Sequence, residues 1–439
     1  MKHLSLIVLA ALIAGIVVGA LIRGTGDVTF LATLGFPAAD IANITLNIHP
    51  TLANIGALIE PFGSLWLNAL RMTVVPLVVS LLITAIASVS DSAKTGGLML
   101  RAVILFTVIL FAMALYSVAA TNGLLALWPI DPQGAAQFIG DVGDNAVRIT
   151  EPPTFASWLS GLAPYNPIRA AAEDAILALV IFTIIFAFAV TQIAPILRDQ
   201  IVSFFRAVSE AMIVVVRWVL LAGPIGVFAL ALGVGLRAGF GAVETLTHYV
   251  VVVTSVTAFS VLIAWAIAIT IGGQPIARFT RAAAPVWAIA ASTQSSLASL
   301  PAMLEAAVRG LRIPAVVADV VLPLAVAVFR FTSPVANLAV CFFVAALYGH
   351  EPTTLQIASA VVVAYAVSIA SVGLPGQISF VASVAPICLA LGAPTEVLGI
   401  LIAVEVIPDI FRTLGNVTGD LAATAILSRG APPDEADNP

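Results

Sequence analysis

The chain has 439 residues, 61% of them hydrophobic and only 9% charged, with a mean hydropathy of +1.12 and a formal net charge of -5. A water-soluble fold carries roughly a quarter charged residues, so a set of soluble domains is excluded, as is an outer-membrane barrel, whose strands alternate polar and apolar residues. The few, scattered charges leave no basic face for nucleic acid, and the composition is that of an all-α polytopic membrane protein in a lipid bilayer.

The start, Met1-Lys2-His3 followed by apolar residues 5–22, is too long for a signal peptide and lacks a small-x-small exit, which predicts a first, uncleaved span. Further apolar runs near 62–88, 98–127, 174–195, 210–235 and 249–272 are each long enough for one crossing at about 1.5 Å per residue. From residue 282 the pattern changes. Polar, Gly and Pro clusters interrupt the apolar stretches at 292-STQSSLASLP-301 and 371-SVGLPGQIS-379, and each is followed by a full-length apolar helix with charges inside it, about 315–348 and about 396–428. One unit is thus written twice, a broken segment with a mid-membrane polar tip and then a charged helix, the pattern of inverted repeats around a midplane site. A hairpin that reverses inside the bilayer presents half-helix N-termini, whose unpaired N–H groups and partial positive charge can receive an anion.

If six spans precede the first hairpin, Lys2, Lys94, Arg101, Arg198, Arg206, Arg278, Arg281, Arg309, Arg312 and Arg429 share one side. The positive-inside rule makes that side cytoplasmic in a cell inner (plasma) membrane, with both termini on it. Cys341 and Cys388, inside apolar segments, read as packed thiols, and the Pro-rich tail 429–439 as disordered. The four histidines fall at predicted span ends, which argues against a histidine relay, and the GxxxG of Gly15 and Gly19 is assigned no function. With no HExxH, no GxSxG and no close Cys/His set, neither an enzyme nor a resident cofactor or metal is expected.

The last helix reads 405-EVIPDIFRTLGNVTGD-420. At about 100° per residue, Glu405, Asp409, Arg412, Asn416 and Asp420 lie within roughly an 80° arc, one polar stripe over about four turns. An ionisable group at mid-bilayer costs roughly 2.5–3.5 kcal/mol on insertion scales, so the stripe must face protein or a cavity and is a functional site by default. Pro408 is expected to open this helix's hydrogen-bond ladder beside it.

RTLGNVTGD, the Ser-rich tip ending in LP and GLPG resemble the dicarboxylate/amino acid:cation symporter family, which includes the glutamate transporters. Further matches are 62-FGSLWLNALRMTVVPLVVS-80, 166-NPIRAAAEDAIL-177 and 224-PIGVFA-229, so the resemblance spans nearly the whole chain. It implies eight transmembrane helices plus two re-entrant hairpins, assembled as a homotrimer. Residues 1–280 would build the scaffold, with 98–127 and 249–272 contributing to the moving part, and 281–428 would form a transport core that moves as an elevator. It also implies that Arg412 pairs with the side-chain carboxylate of a small anionic substrate, an acidic amino acid or dicarboxylate, while Asp409 holds an amino group. Thr413 and Asn416, with the main chain at Ser295 and Ser296, would hold the backbone carboxylate, and Gly373, Pro375 and Gly376 would form the outer gate.

One departure stands out. Where the family carries an Asn-Met-Asp-Gly-Thr motif that binds sodium, aligning 321-VLPL-324 places Phe329-Arg330-Phe331-Thr332-Ser333. Phenylalanine side chains supply no oxygen ligands, so the sodium sites read as degraded. Glu405, Asp409 and Asp420 against Arg330 and Arg412 leave a charge of -1 on these helices. The Arg330 guanidinium is therefore expected where a sodium ion would sit, opposite Asp420 or Asp409, as a tethered cation. Coupling would pass to a proton on Glu405; the alternative is a facilitator, an exchanger or an anion channel of the same fold.

Overall fold

The computed structural model describes residues 2–25, 31, 37, 40–41, 44–95, 97–139, 163–173, 175–239, 241–370 and 376–429. The described residues form an all-α protein, with no strand among them. In chain order the helices are α1 Lys2–Thr25, α2 His49–Arg71, α3 Val74–Thr95, α4 Gly97–Leu127, α5 Pro132–Ile139, α6 Pro167–Ala172, α7 Ile176–Val190, α8 Pro195–Leu221 and α9 Gly223–Ala238. They continue with α10 Gly241–Thr270, α11 Ile276–Thr293, α12 Ser296–Glu305, α13 Ala315–Val328, α14 Ser333–Leu347, α15 Thr354–Ala370, α16 Gly376–Leu391, α17 Leu398–Leu401 and α18 Val406–Ser428. Among the described residues, five helical stretches are long and apolar enough to cross a membrane: Ile7–Thr25, Leu58–Ala87, Gly97–Leu127, Gly241–Thr270 and Ala315–Leu347. The chain is therefore an integral membrane protein.

Several expected spans are interrupted, each for a local reason. The 210–235 run is not one helix: α8 and α9 meet at Ala222 with a bend of 57°. Pro224 has no N–H for the carbonyl one turn earlier, and its ring crowds that position. The 62–88 run breaks at Met72 and Thr73, where the Thr73 hydroxyl donates back to Leu70 O at 2.7 Å. The 174–195 run yields only α7, whose 15 residues reach about 22 Å, short of the roughly 30 Å hydrocarbon core. The 249–272 run begins eight residues earlier, as α10. His248 is thus not at a helix end; it is buried inside α10, stacked on Trp128 at 4.0 Å and edge-on to Phe343.

The charged segments following the hairpins are also broken. Residues 315–348 form α13 and α14 with a non-helical step at Phe329 and Arg330, and 396–428 form the short α17 and then α18. Pro408 lies in the first turn of α18, where the backbone needs no intrahelical donor, so it does not open the ladder. The first hairpin is α11 and α12, which reverse at Gln294 in a left-handed conformation (φ 52°). The second is α15 and α16. Its tip, with Gly373 and Pro375, lies outside the described residues, as does nearly all of the tail.

Packing sorts the helices into two groups. In the first, α1 lies along α9, and α9 along α2. Gly15 and Gly19 are not idle here: a Cβ on Gly19 would meet the Leu232 carbonyl oxygen, and one on Gly235 would stand 2.5 Å from Ile16 O. The missing side chains let the two backbones touch. In the second group α10 runs along α18, α4 along α14, and the first hairpin packs on α18. Arg71 of α2 reaches across to Glu396 at 2.9 Å, beside a cavity of about 150 Å³ between α2, α9 and the 396–400 turn. Cys341 and Cys388 are free, buried thiols with sulfurs 3.1 Å apart.

Gly19→Val forces α1 away from α9; we expect a loss of about 1–3 kcal/mol, the cost of overpacking a tight contact, read as a drop of several degrees in the melting temperature of the purified protein. Gly97→Val, at a position where a Cβ would meet nothing within 4 Å, is the control.

Candidate functional site

The step between α13 and α14 carries the site. Phe329 and Arg330 leave the helix, which frees backbone groups in the middle of a helical stretch of 33 residues. Asn416 of α18 satisfies one of them: its Oδ1 accepts from Thr332 N at 2.9 Å. The Thr332 hydroxyl lies 2.9 Å from the same Oδ1 and 2.8 Å from Arg412 O. Close approach depends on two glycines of α18. A Cβ on Gly415 would collide with Thr332 Cγ2, and one on Gly419 would sit 2.7 Å from Phe331 Cβ. Both aromatic rings are used in packing. Phe329 stacks on Phe106 of α4 at 4.4 Å, and Phe331 meets Phe329 edge-on at 6.1 Å.

The stripe faces inward, as its cost in lipid requires. Glu405, Asp409, Asn416 and Asp420 are all buried at 5% exposure or less. Arg412 is engaged at both terminal nitrogens: Nη1 donates to Asn337 Oδ1 at 2.7 Å and Nη2 to Glu405 Oε2 at 3.0 Å, while Nε has no hydrogen-bond partner among the described residues. The other Glu405 oxygen accepts from the phenol of Tyr249 on α10. Glu405 itself stands just before α18, as its N-cap residue, and belongs to the stripe by geometry rather than by helical phase. Thr413 directs its hydroxyl back to Asp409 O at 2.9 Å.

Arg330 lies within electrostatic reach of Asp409 and Asp420, with Arg412 as the nearest like charge. Asp420, at 1% exposure, has no hydrogen-bond partner on either oxygen among the described residues, and Arg330 is the charge that faces it. At the first hairpin, Ser295 caps α12 by accepting from Ala298 N at 3.3 Å, and Ser296 is buried behind it. Gln294 ties this tip to α18 through its Nε2, which donates to Val406 O at 3.2 Å. Gly376 opens α16, which packs on α14 and touches α18; Gly373 and Pro375 fall on undescribed residues. Among the described residues no group of three or more His, Cys, Asp or Glu side chains is placed to hold a metal.

The first hairpin tip and the step between α13 and α14 thus meet α18 along its stripe of charged side chains. A family model described as the sodium:dicarboxylate symporter family matches residues 4–429. The chain belongs to that family. Its members are symporters, not enzymes. The chain is 27% identical to the proton/sodium-glutamate symport protein of Bacillus subtilis over 84% of this chain and 86% of that one. It is 26% identical to the proton/glutamate-aspartate symporter of Escherichia coli, over 85% of each. To a C4-dicarboxylate transport protein of Azorhizobium caulinodans it is 22% identical, over 86% of this chain and 83% of that one.

Three residues of this symporter's network went unnoticed in the sequence. Asn337 had a signal, a lone amide in an apolar run, and Thr332 stood in the departing motif. Tyr249 had none, because a tyrosine at the edge of an apolar run reads as an interface anchor.

Gly415→Ala should displace Thr332 and weaken substrate binding at least tenfold. Adding Thr332→Ser, which removes the colliding methyl and keeps the hydroxyl, should recover most of that loss, as measured by binding to the purified double variant.

Proposed function

We propose that this chain is a proton-coupled, sodium-independent symporter of an acidic amino acid, aspartate or glutamate. It would work as an elevator in a homotrimer of an inner membrane, with both termini cytoplasmic. The observation that carries the reading is Glu405 on Arg412. The guanidinium that suits a substrate carboxylate already holds a protein carboxylate, so an acidic substrate must displace it. Glu405, Asp409 and Asp420 against Arg330 and Arg412 give -1 before binding. An acidic amino acid adds one negative charge and a proton on Glu405 removes one, so the buried sum stays unchanged only if the two arrive together.

Arg330 facing Asp409 and Asp420, with both phenylalanines in ring packing, supports a cation that is covalent rather than bound. Thr413, Asn416 and the first hairpin at Ser295 and Ser296 would take the substrate backbone, and Asp409 the ammonium. The second hairpin at Gly373, Pro375 and Gly376 would close over it. The two packing groups support the split into scaffold and transport core, with α4 and α10 joining the core. Arg217 stands exposed in the apolar run 210–235. Lipid is a poor solvent for a guanidinium, which supports a second copy covering that face. One observation favours a C4-dicarboxylate instead: Arg330 competes with an ammonium for Asp409.

In proteoliposomes, an inward proton gradient should drive uptake of L-aspartate with sodium absent, and a sodium gradient alone should drive none. Glu405→Gln should abolish proton-driven accumulation while leaving exchange across the membrane. Sodium-driven accumulation by the native protein would overturn the reading, and preference for succinate over L-aspartate would move the substrate to the second class. Arg330→Met, which leaves Asp420 facing no cation, should lower substrate affinity at least tenfold.

A further inference from the structure

Tyr249 of α10 is fully buried. Its ring is fixed edge-on against Phe343 of α14, with centroids 5.2 Å apart. Its hydroxyl donates to Glu405 Oε1, opposite the oxygen that Arg412 holds. The charged and titratable groups around this pair come from three helices. Arg412 and Asp409 approach Glu405 from α18, Tyr249 from α10, and the Cys341 thiol of α14 faces the phenol. Asn337 of α14 takes the remaining terminal nitrogen of Arg412.

We propose that Tyr249 is the positioning residue of the carboxylate exchange on Arg412: it holds Glu405 by one oxygen in both protonation states and sets the pH at which Glu405 releases the guanidinium. The proposal rests on the reading of Glu405 as proton carrier. A phenol donates to a carboxylate and accepts from a carboxylic acid, so it serves both forms of the side chain without moving. While Glu405 is ionised, the donated bond favours the charged form and keeps it on Arg412. Once Glu405 is protonated, its O–H can turn to the phenolic oxygen and give up the guanidinium, leaving Nη2 open for a substrate carboxylate.

Tyr249→Phe removes only the hydroxyl and keeps the ring on Phe343. Losing a donor to the charged form makes protonation easier, so the midpoint of the pH dependence of L-aspartate uptake should move up by about one unit. Trifluorotyrosine at 249, a stronger donor of similar size, should move it down; this variant keeps the question answerable if the phenylalanine variant folds poorly. In a Glu405→Gln background neither change should shift the profile. An unshifted profile in both Tyr249 variants, with Glu405→Gln flattening it, would overturn the role of Tyr249 alone. A native profile that Glu405→Gln leaves unchanged would overturn the proton-carrier reading, and this proposal with it.

Discussion

Buried charge organises this protein. Three buried carboxylates, Glu405, Asp409 and Asp420, and two partly buried guanidiniums, Arg330 and Arg412, gather on or beside α18, where none can be left to lipid. Stripping one partner from such a cluster typically costs about 3–5 kcal/mol, more than most single packing contacts supply. The surrounding architecture serves that constraint. The step at Phe329 and Arg330 breaks a membrane helix so that a guanidinium can enter the cluster. Asn416 then repairs the backbone that the break leaves unpaired. Gly415 and Gly419 remove the side chains that would keep the step away.

The same constraint explains why the cluster suits transport rather than stability. Pairing within it is incomplete: Asp420 accepts no hydrogen bond among the described residues, and Arg412 Nε donates none. A cluster built only to stitch helices would satisfy those atoms, because a buried polar group without a partner loses about 1–3 kcal/mol. Groups that must change partners during a cycle cannot all be satisfied in one state. Arg412 is the clearest case, since its present partner on α18 is a carboxylate, the group that an acidic ligand would also offer.

The architecture was legible wherever hydropathy and polarity change together. Two polar tips in apolar surroundings located both hairpins, and the phase of Asp409, Arg412, Asn416 and Asp420 put them on one buried face. Breaks inside uniformly apolar runs were not legible. Nothing in the hydropathy of 210–235 or 315–348 marks the bend at Ala222 or the step at Phe329, because proline and a lone arginine scarcely alter a window average. Pro224 was the readable cue in the first case. In the second, the departing motif gave the place, but its helical flanks concealed that the chain stops being a helix there.

Partners across helices were the hardest to foresee. Tyr249 and Asn337 stand 156 and 68 residues from Glu405, on α10 and α14, and no spacing rule within one helix relates them. Charge counting was less dependent on geometry: it required that Arg330 lie near an acidic group, whichever way the chain ran. Composition therefore pointed to Arg330, while the phenol beside Glu405 left no trace in it. A neutral hydroxyl adds nothing to a charge sum, yet in low dielectric it decides which of two carboxylate oxygens stays fixed as the other changes partner.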